Sequence, residues 1–357
     1  MTHCSPSLLP LVSVVIPTYN AEAFIERTLN AVLAQTYQNL EILVVNDGSR
    51  DRTAEIVSAI AQCDRRVIVL EQPNSGVAAA RNLGIQHARG EFIAPIDADD
   101  LWYPQNLEKQ VQCFLHSDPN VGLVYAWSVD IDKNDNPTGE FRAAKIEGNV
   151  YKTLICHNFL GNASATLMRR SCLEQIGGYN SQLREQKAQG CEDWDLYLRL
   201  AERYPFRVVP EFLIGYRKIP SSMSRDYRQM ARSHRLMLQA VRQKSPQIPA
   251  VLYRLSCSSF YLYLARQSHQ YGSPSQTLFW LREAIRADFI TPLWRYGWYL
   301  LLLKSLWQLW VPPARQPLQR QATSQARALT VADLNQRKLS ISFKLLVGSV
   351  LHRGIKN

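Results

Sequence analysis

Three aspartates in four positions, Asp97, Asp99 and Asp100, close a short apolar run, Gly90-Glu91-Phe92-Ile93-Ala94-Pro95-Ile96. Carboxylates crowded at the end of a buried strand push each other's pKa upward unless something positive sits among them. Hard divalent cations such as Mg²⁺ and Mn²⁺ meet that need, taking one or two carboxylates and completing their shell with substrate phosphates. An isolated D-x-D is a weak signal, because acidic loops are ordinarily just solvated. A second cluster, Glu192-Asp193-Trp194-Asp195, opens a helical pattern. On a helix Glu192 and Asp195 share a face with Arg199 and could pair with it, while Asp193 points elsewhere. A carboxylate of this kind can serve as a general base.

Those carboxylates need elements to hold them. Val12-Ser13-Val14-Val15-Ile16-Pro17-Thr18-Tyr19-Asn20 reads as an apolar strand ending in a turn, followed by an amphipathic helix near Ala21–Ala34. Glu41-Ile42-Leu43-Val44-Val45-Asn46-Asp47-Gly48-Ser49 reads as a second buried strand closed by an acidic turn, with a helix through Thr53–Ile60. Val67–Leu70 is a third strand, Gly76–Ala88 a third helix carrying Ala80-Arg81-Asn82, and Glu91–Ile96 a fourth strand. Short apolar strands alternating with helices of about ten to thirteen residues predict βα units and a largely parallel sheet. Ligands of such sheets bind beyond the carboxyl ends of the strands. Tyr19, Asp47 and Asp97–Asp99 all fall there, so chain-distant polar residues are predicted to meet in one crevice.

The runs V-S-V-V-I-P-T-Y-N, V-V-N-D-G-S, A-A-A-R-N-L-G-I and I-D-A-D-D, followed by E-D-W-D-L-Y-L-R-L from Glu192, together resemble a family 2 glycosyltransferase with the GT-A fold. The resemblance spans roughly residues 11–224, about three-fifths of the chain, and does not reach the C-terminal part. It implies a Rossmann-like α/β fold: a mixed, mainly parallel sheet flanked by helices, with an α-helical region after it. It also implies an inverting transfer from a nucleoside-diphosphate sugar, with Mn²⁺ or Mg²⁺ as cofactor and a glycan or lipid-linked acceptor in surface polysaccharide synthesis.

The same resemblance assigns roles. It places the direct metal ligand at Asp99, the ribose or a metal-bound water on Asp97, and the general base at Asp193; spacing alone does not choose Asp193 over Glu192 or Asp195. Tyr19 could stack on the nucleotide base, with the backbone around Pro17 and Thr18 lining the same floor. Asp47 would accept a hydrogen bond from the base's ring N–H, which favours uracil or thymine over cytosine. Arg81 could reach the diphosphate or fix the aspartate cluster, with a helix-surface ion pair as the plain alternative. Asp100 reads as a helix cap or a support for its neighbours, and Asn20 and Ser49 as caps of the helices that follow them.

One departure stands out. Relatives carry Y-R-x-H-x-x-S-x-S at the end of the catalytic domain; here the run is Tyr216-Arg217-Lys218-Ile219-Pro220-Ser221-Ser222-Met223-Ser224, with Ile219 at the histidine position. Isoleucine ligates nothing, so Asp99 with phosphates and water, or Lys218 and Arg217, would have to serve in its place. Two other classes compete with the transferase reading. A degenerate nucleotide-sugar-binding scaffold would not need Asp97, Asp99 and Asp193 intact. A nucleotidyltransferase would want a Gly/Lys-rich N-terminal loop, and residues 11–35 contain neither residue.

Composition and charge bound the rest. The 357 residues, 46% hydrophobic, suit more than one ordinary domain. The expected division is an extension over 1–10, a catalytic domain over 11–224, a helical domain over 225–312, and a basic linker and tail over 313–357. Seven cysteines without regular spacing, and an N-terminus lacking a signal-peptide pattern, read as free thiols in a cytoplasmic protein. The formal charge of +11 is uneven: residues 1–222 hold 21 Lys/Arg against 26 Asp/Glu, residues 223–312 hold 12 against 3, and residues 313–357 hold 8 against 1. No nucleic-acid-binding motif accompanies the basic part. It fits peripheral docking on the anionic inner face of a plasma membrane, or a plain solvated surface. Tyr253–Gln270 and Ser275–Ala287 should form a helical hairpin about Gly272-Ser273-Pro274. Tyr296–Val311 reads as a buried helix, an interfacial helix or, least readily at its length, a membrane span.

Overall fold

The computed structural model describes residues 9–219 and 226–311. The Pro220–Ser224 end of the departing motif and the expected basic linker and tail over 313–357 lie outside the described residues.

Strands β1 (Val12–Thr18), β2 (Leu40–Asn46), β3 (Val67–Glu71) and β4 (Phe92–Pro95) alternate with helices α1 (Ile25–Leu33), α2 (Thr53–Cys63) and α3 (Val77–His87). They lie parallel in the order β3-β2-β1-β4. Every residue of β1 and β2 is buried, as largely apolar strands are when helices cover both faces of a parallel sheet; the one carboxylate among them, Glu41, is paired with Arg89. Val12, Val14 and Ile16 share one core with Ile25 and Leu29, and Val15 shares a second with Ala78.

The chain continues through β5 (Leu101–Trp102), α4 (Asn106–Leu115), β6 (Leu123–Ile131), β7 (Pro137–Arg142), α5 (Tyr151–Cys156), a 3₁₀ turn (Ala163–Ala165), β8 (Thr166–Arg169), α6 (Arg170–Ile176), α7 (Gln182–Glu185), α8 (Glu192–Ala201) and β9 (Phe206–Arg217). Among the described residues nine strands form one sheet in the order β3-β2-β1-β4-β8-β6-β9-β5, with β7 paired to β6. The sheet turns antiparallel at β8, which lies between β4 and β6. The stretch Asp130–Gly148 contains β7, which pairs back on β6 as a hairpin.

Two local features open the crevice. The Ile96 N–H donates to the Val15 carbonyl (3.0 Å), so the same edge of Pro17, two residues on, faces past the end of β4. A proline there forfeits no ladder bond. On the opposite face α3 packs tightly on β1: a Cβ added to Gly84 would stand 2.5 Å from a methyl of Val15. Gly84→Ala should therefore cost about 1–3 kcal/mol through overpacking, read as a lower thermal midpoint. An unchanged midpoint would show that α3 is free to move.

Beyond β9 come α9 (Tyr227–Lys244), α10 (Ala250–Gln270), α11 (Pro274–Ala287), α12 (Ile290–Leu293) and α13 (Tyr296–Trp310). α10 and α11 form the expected hairpin, with Gly272 in the left-handed region (φ +72) and Pro274 starting the second helix. Trp194 of α8 packs against His234 of α9 and Phe260 of α10 (ring centroids 4.9 and 5.9 Å), so these helices share a core with the sheet. α13 is not the buried helix offered as one reading: within it only Ser305 is buried.

Candidate active site

Asp97 and Asp99 emerge just after β4 ends, in a turn held from behind. Asp100 is fully buried, and its carboxylate accepts from the Ser164 hydroxyl (2.5 Å) and the Arg217 N–H (2.8 Å). The Ser164 oxygen accepts from the Asp97 N–H (3.0 Å). Asp100 is thus a support rather than a helix cap. The Arg217 guanidinium donates to the carbonyls of Asp99 (2.5 Å) and Asp132 (2.6 Å) and pairs with Asp135 (2.5 Å). So committed, it is not free to neutralise a diphosphate, which corrects one substitute expected for the missing histidine. The other, Lys218, lies on a cavity wall with its ammonium over the Tyr216 ring (4.3 Å). Burial and the neighbouring Arg142 lower its pKa to about 8.

Arg81 occupies the centre. It projects from α3, its side chain 4% exposed, and donates to Asp97 (2.5 Å) with one terminal nitrogen and to Asp193 (2.6 Å) with the other. The Tyr179 ring covers its guanidinium (5.1 Å). A helix-surface ion pair is excluded, and the role of fixing the aspartate cluster is the one the geometry fits. One buried cation then serves two carboxylates while a third, Asp99, stands nearby. Desolvation, with Asp97 second, pushes the Asp99 carboxyl up to about 6. Desolvation also raises Asp193 to about 6; Arg81 opposes that rise, and Asp97 and Glu192 add to it.

α8 separates the three acidic residues at its start. Asp195 pairs with Arg199 (2.8 Å), the structural pair expected from helix spacing. Glu192 is buried and accepts from the Gly190 N–H (2.8 Å). Asp193 alone of the three lines a cavity of about 470 Å³, which Asp97 also lines. Trp194 anchors the turn by donating to the Leu154 carbonyl (2.7 Å).

The remaining sequence-predicted residues surround the crevice. Tyr19 stands 49% exposed just beyond β1, where its ring is open to a ligand. Pro17 lies within β1 and is buried. Asp47 is buried at the end of β2, and its carboxylate accepts from the Gln72 side chain (2.6 Å) and from the N–H groups of Ser75 (2.7 Å) and Gly76 (2.8 Å). Asn20 and Ser49 are not helix caps. The Asn20 N–H donates to the Ser49 hydroxyl (3.1 Å) and the Arg50 N–H to the Asn20 side chain (2.9 Å), lacing the loops after β1 and β2 together.

The cavity's far walls come largely from outside the motifs. Phe159, Tyr216, Phe260 and Tyr263 give it aromatic surface, and Ser259 a polar edge. Sequence reasoning missed Phe260, Tyr263 and Ser259, and also Ser164 and Tyr179, which position the charged cluster. Each is a single residue whose partner is far away in sequence, so no local pattern announces it.

A family model described as glycosyl transferase family 2 matches residues 13–177. An uncharacterized glycosyltransferase of Methanocaldococcus jannaschii is 31% identical over 212 residues, covering 58% of this chain and 71% of that protein. The chondroitin synthase of Pasteurella multocida is 30% identical over 209 residues, 56% of this chain, which spans only 20% of that protein's length. Among solved structures, residues 1–349 of S. aureus TarS align with a TM-score of 0.54 at 17% identity, covering 83% of this chain and 88% of that one. The mannosyltransferase PcManGT of Pyrobaculum calidifontis, in complex with GDP-Man and Mn²⁺, aligns with a TM-score of 0.53 at 21% identity, covering 87% and 83%. These two likenesses bear on the fold, which is the GT-A type.

Proposed function

Because the chain belongs to the family 2 glycosyltransferases, we propose that it transfers a sugar, with inversion, from a nucleoside-diphosphate sugar to a hydroxyl of a glycan or lipid-linked acceptor in surface polysaccharide synthesis. The observation that carries this reading is the Arg81 bridge, which joins Asp97 at the strand-end crevice to Asp193 in the wall of the adjoining cavity. One side suits the donor, the other the acceptor.

On the donor side the Tyr19 ring stacks on the base over the floor at Pro17. Asp47 has three hydrogen bonds already and keeps one acceptor position for a base N–H, which favours a uridine or deoxythymidine nucleotide. TarS structures with UDP and UDP-GlcNAc, and PcManGT with GDP-Man, support a nucleoside-diphosphate-sugar donor in general rather than one particular base. The residues also fit a divalent cation. Asp99 is crowded by Asp97, and the guanidinium nearest its turn bonds the Asp99 carbonyl rather than the carboxylate. Among the described residues no group of three or more His, Cys, Asp or Glu could cage a metal. Asp99 would therefore hold it, with Asp97 on the ribose or a metal-bound water and phosphates completing the shell. A bound Mn²⁺ or Mg²⁺ would stabilise the charge that develops on the departing diphosphate. On the acceptor side Asp193 takes the proton of the attacking hydroxyl, opposite the leaving group.

Calorimetry across a panel of nucleotide sugars tests the donor site. A uridine- or deoxythymidine-diphosphate sugar should bind at least about tenfold more tightly with Mn²⁺, a gain of about 1.4 kcal/mol. Asp99→Ala should lose that gain and keep the metal-independent affinity. Equal wild-type affinity with and without Mn²⁺ contradicts the metal role, and binding of none of the panel contradicts the donor.

A further inference from the structure

We infer that the outer face of α12 and α13 docks on an anionic lipid surface. The inference goes beyond the transfer reaction, and only its consequence for acceptor delivery rests on the acceptor reading above.

A helix on the surface of a water-soluble domain turns a polar face outward. α13 does not. Trp298, Leu301 and Leu302 pack inward on the core. Tyr296, Tyr299, Leu303, Leu306 and Trp310 follow at spacings of three and four along the outer side, with Trp307 beside Leu306, all exposed. Phe289, Ile290, Leu293 and Trp294 extend the same open surface around α12, with Trp294 86% and Trp310 92% exposed. A contiguous apolar surface of this kind marks an interaction site.

The occupant follows from length and charge. α13 has 15 residues, about 22 Å at 1.5 Å per residue, against about 30 Å of bilayer hydrocarbon. No helix among the described residues is long and apolar enough to cross a membrane, so α13 would lie along the interface, where Trp and Tyr are favoured. From Phe289 to Val311 the chain carries Arg295 and Lys304 and no acidic residue, and residues 226–311 hold 11 Lys/Arg against 3 Asp/Glu. A second copy pressed on this face would bring cations to cations. Anionic headgroups would neutralise them instead. Arg295 also donates to the Ser259 hydroxyl (3.3 Å), and Ser259 lines the cavity that holds Asp193. A docked face thus sets that cavity beside the lipid, where a lipid-linked acceptor would arrive.

Sedimentation of the full chain with vesicles decides it. The protein should pellet with phosphatidylcholine vesicles containing phosphatidylglycerol and be partly released by 1 M salt, where screening shortens to about 3 Å. The triple variant Leu303→Glu/Trp307→Glu/Trp310→Glu should stay in the supernatant with unchanged melting temperature. Should that variant misfold, Lys304→Gln should lower partition into the anionic vesicles about fivefold, equivalent to about 1 kcal/mol for one basic residue, without altering any binding to phosphatidylcholine alone. Wild-type protein that ignores the anionic vesicles, or folded variants that bind them as well as wild type does, would overturn the inference. So would a wild-type dimer that the triple variant dissociates, which would give the face to a second copy. Nucleotide-sugar affinity, measured on the same samples, reports separately on the donor reading.

Discussion

Asp193→Asn should lower transfer by about 10²–10⁴-fold, the usual cost of losing a general base, while donor affinity stays near wild type. The amide keeps the shape of the carboxylate and can still accept from Arg81, but it cannot take a proton. Loss in kcat with unchanged donor binding is the pattern of a group that acts only in the chemical step. The wild-type pH profile should carry the same signature. Burial holds Asp193 at about 6, with Arg81 opposing and Asp97 and Glu192 assisting. The base works only when ionised, so the rate should fall tenfold per unit as pH drops below about 6 and level off above it. Asparagine should remove that acidic limb. A variant that retains more than about a tenth of wild-type turnover would place the base elsewhere.

Arg81→Leu should destabilise the protein by about 3–5 kcal/mol, because it strips the cation from a buried ion cluster and leaves two carboxylates uncompensated. Asp193, whose rise Arg81 opposes, would then rise further in pKa, and activity surviving at neutral pH should recover toward alkaline pH. Arg81→Lys should rescue only part of the stability, since one ammonium cannot hold two carboxylates in the fork geometry seen here at 2.5 and 2.6 Å. Urea denaturation reads the effect. If the leucine variant unfolds at the wild-type midpoint, the guanidinium is not what holds the cluster.

The donor half of the fold was legible because β1, β2 and β4 are buried on both faces and so appear as largely apolar runs, with Asp47 and Asp97 just past the ends of β2 and β4. The second half was less so. β8 is four residues long and gains its place by pairing between β4 and β6, which is a tertiary event that local propensity does not encode. Asp97 and Asp193 could be picked out by motif, and Arg81 as a residue that fixes the Asp97 cluster, but its bridge on to Asp193 could not, since Asp193 lies 112 residues away. Asn20 and Ser49 were misread for a related reason. A short polar side chain after a strand satisfies the pattern of a helix cap and of a loop-to-loop tie equally well, and only the neighbouring loop decides. Arg217 was misread because nothing local in its sequence shows that its guanidinium is consumed by backbone carbonyls and Asp135. The outer stripe of α13 was visible as apolar sequence, but which half of it faces the core was not.

The central claim is that an inverting transfer takes place between the strand-end crevice and Asp193. Proton NMR of purified protein with Mn²⁺ and a panel of nucleoside-diphosphate sugars tests it most directly, water serving as the acceptor when no glycan is supplied. One uridine- or deoxythymidine-diphosphate sugar should be consumed, and the first free sugar to appear should carry the anomeric configuration opposite to that in the donor. Release of the retained anomer, or consumption of none of the donors, would contradict the account.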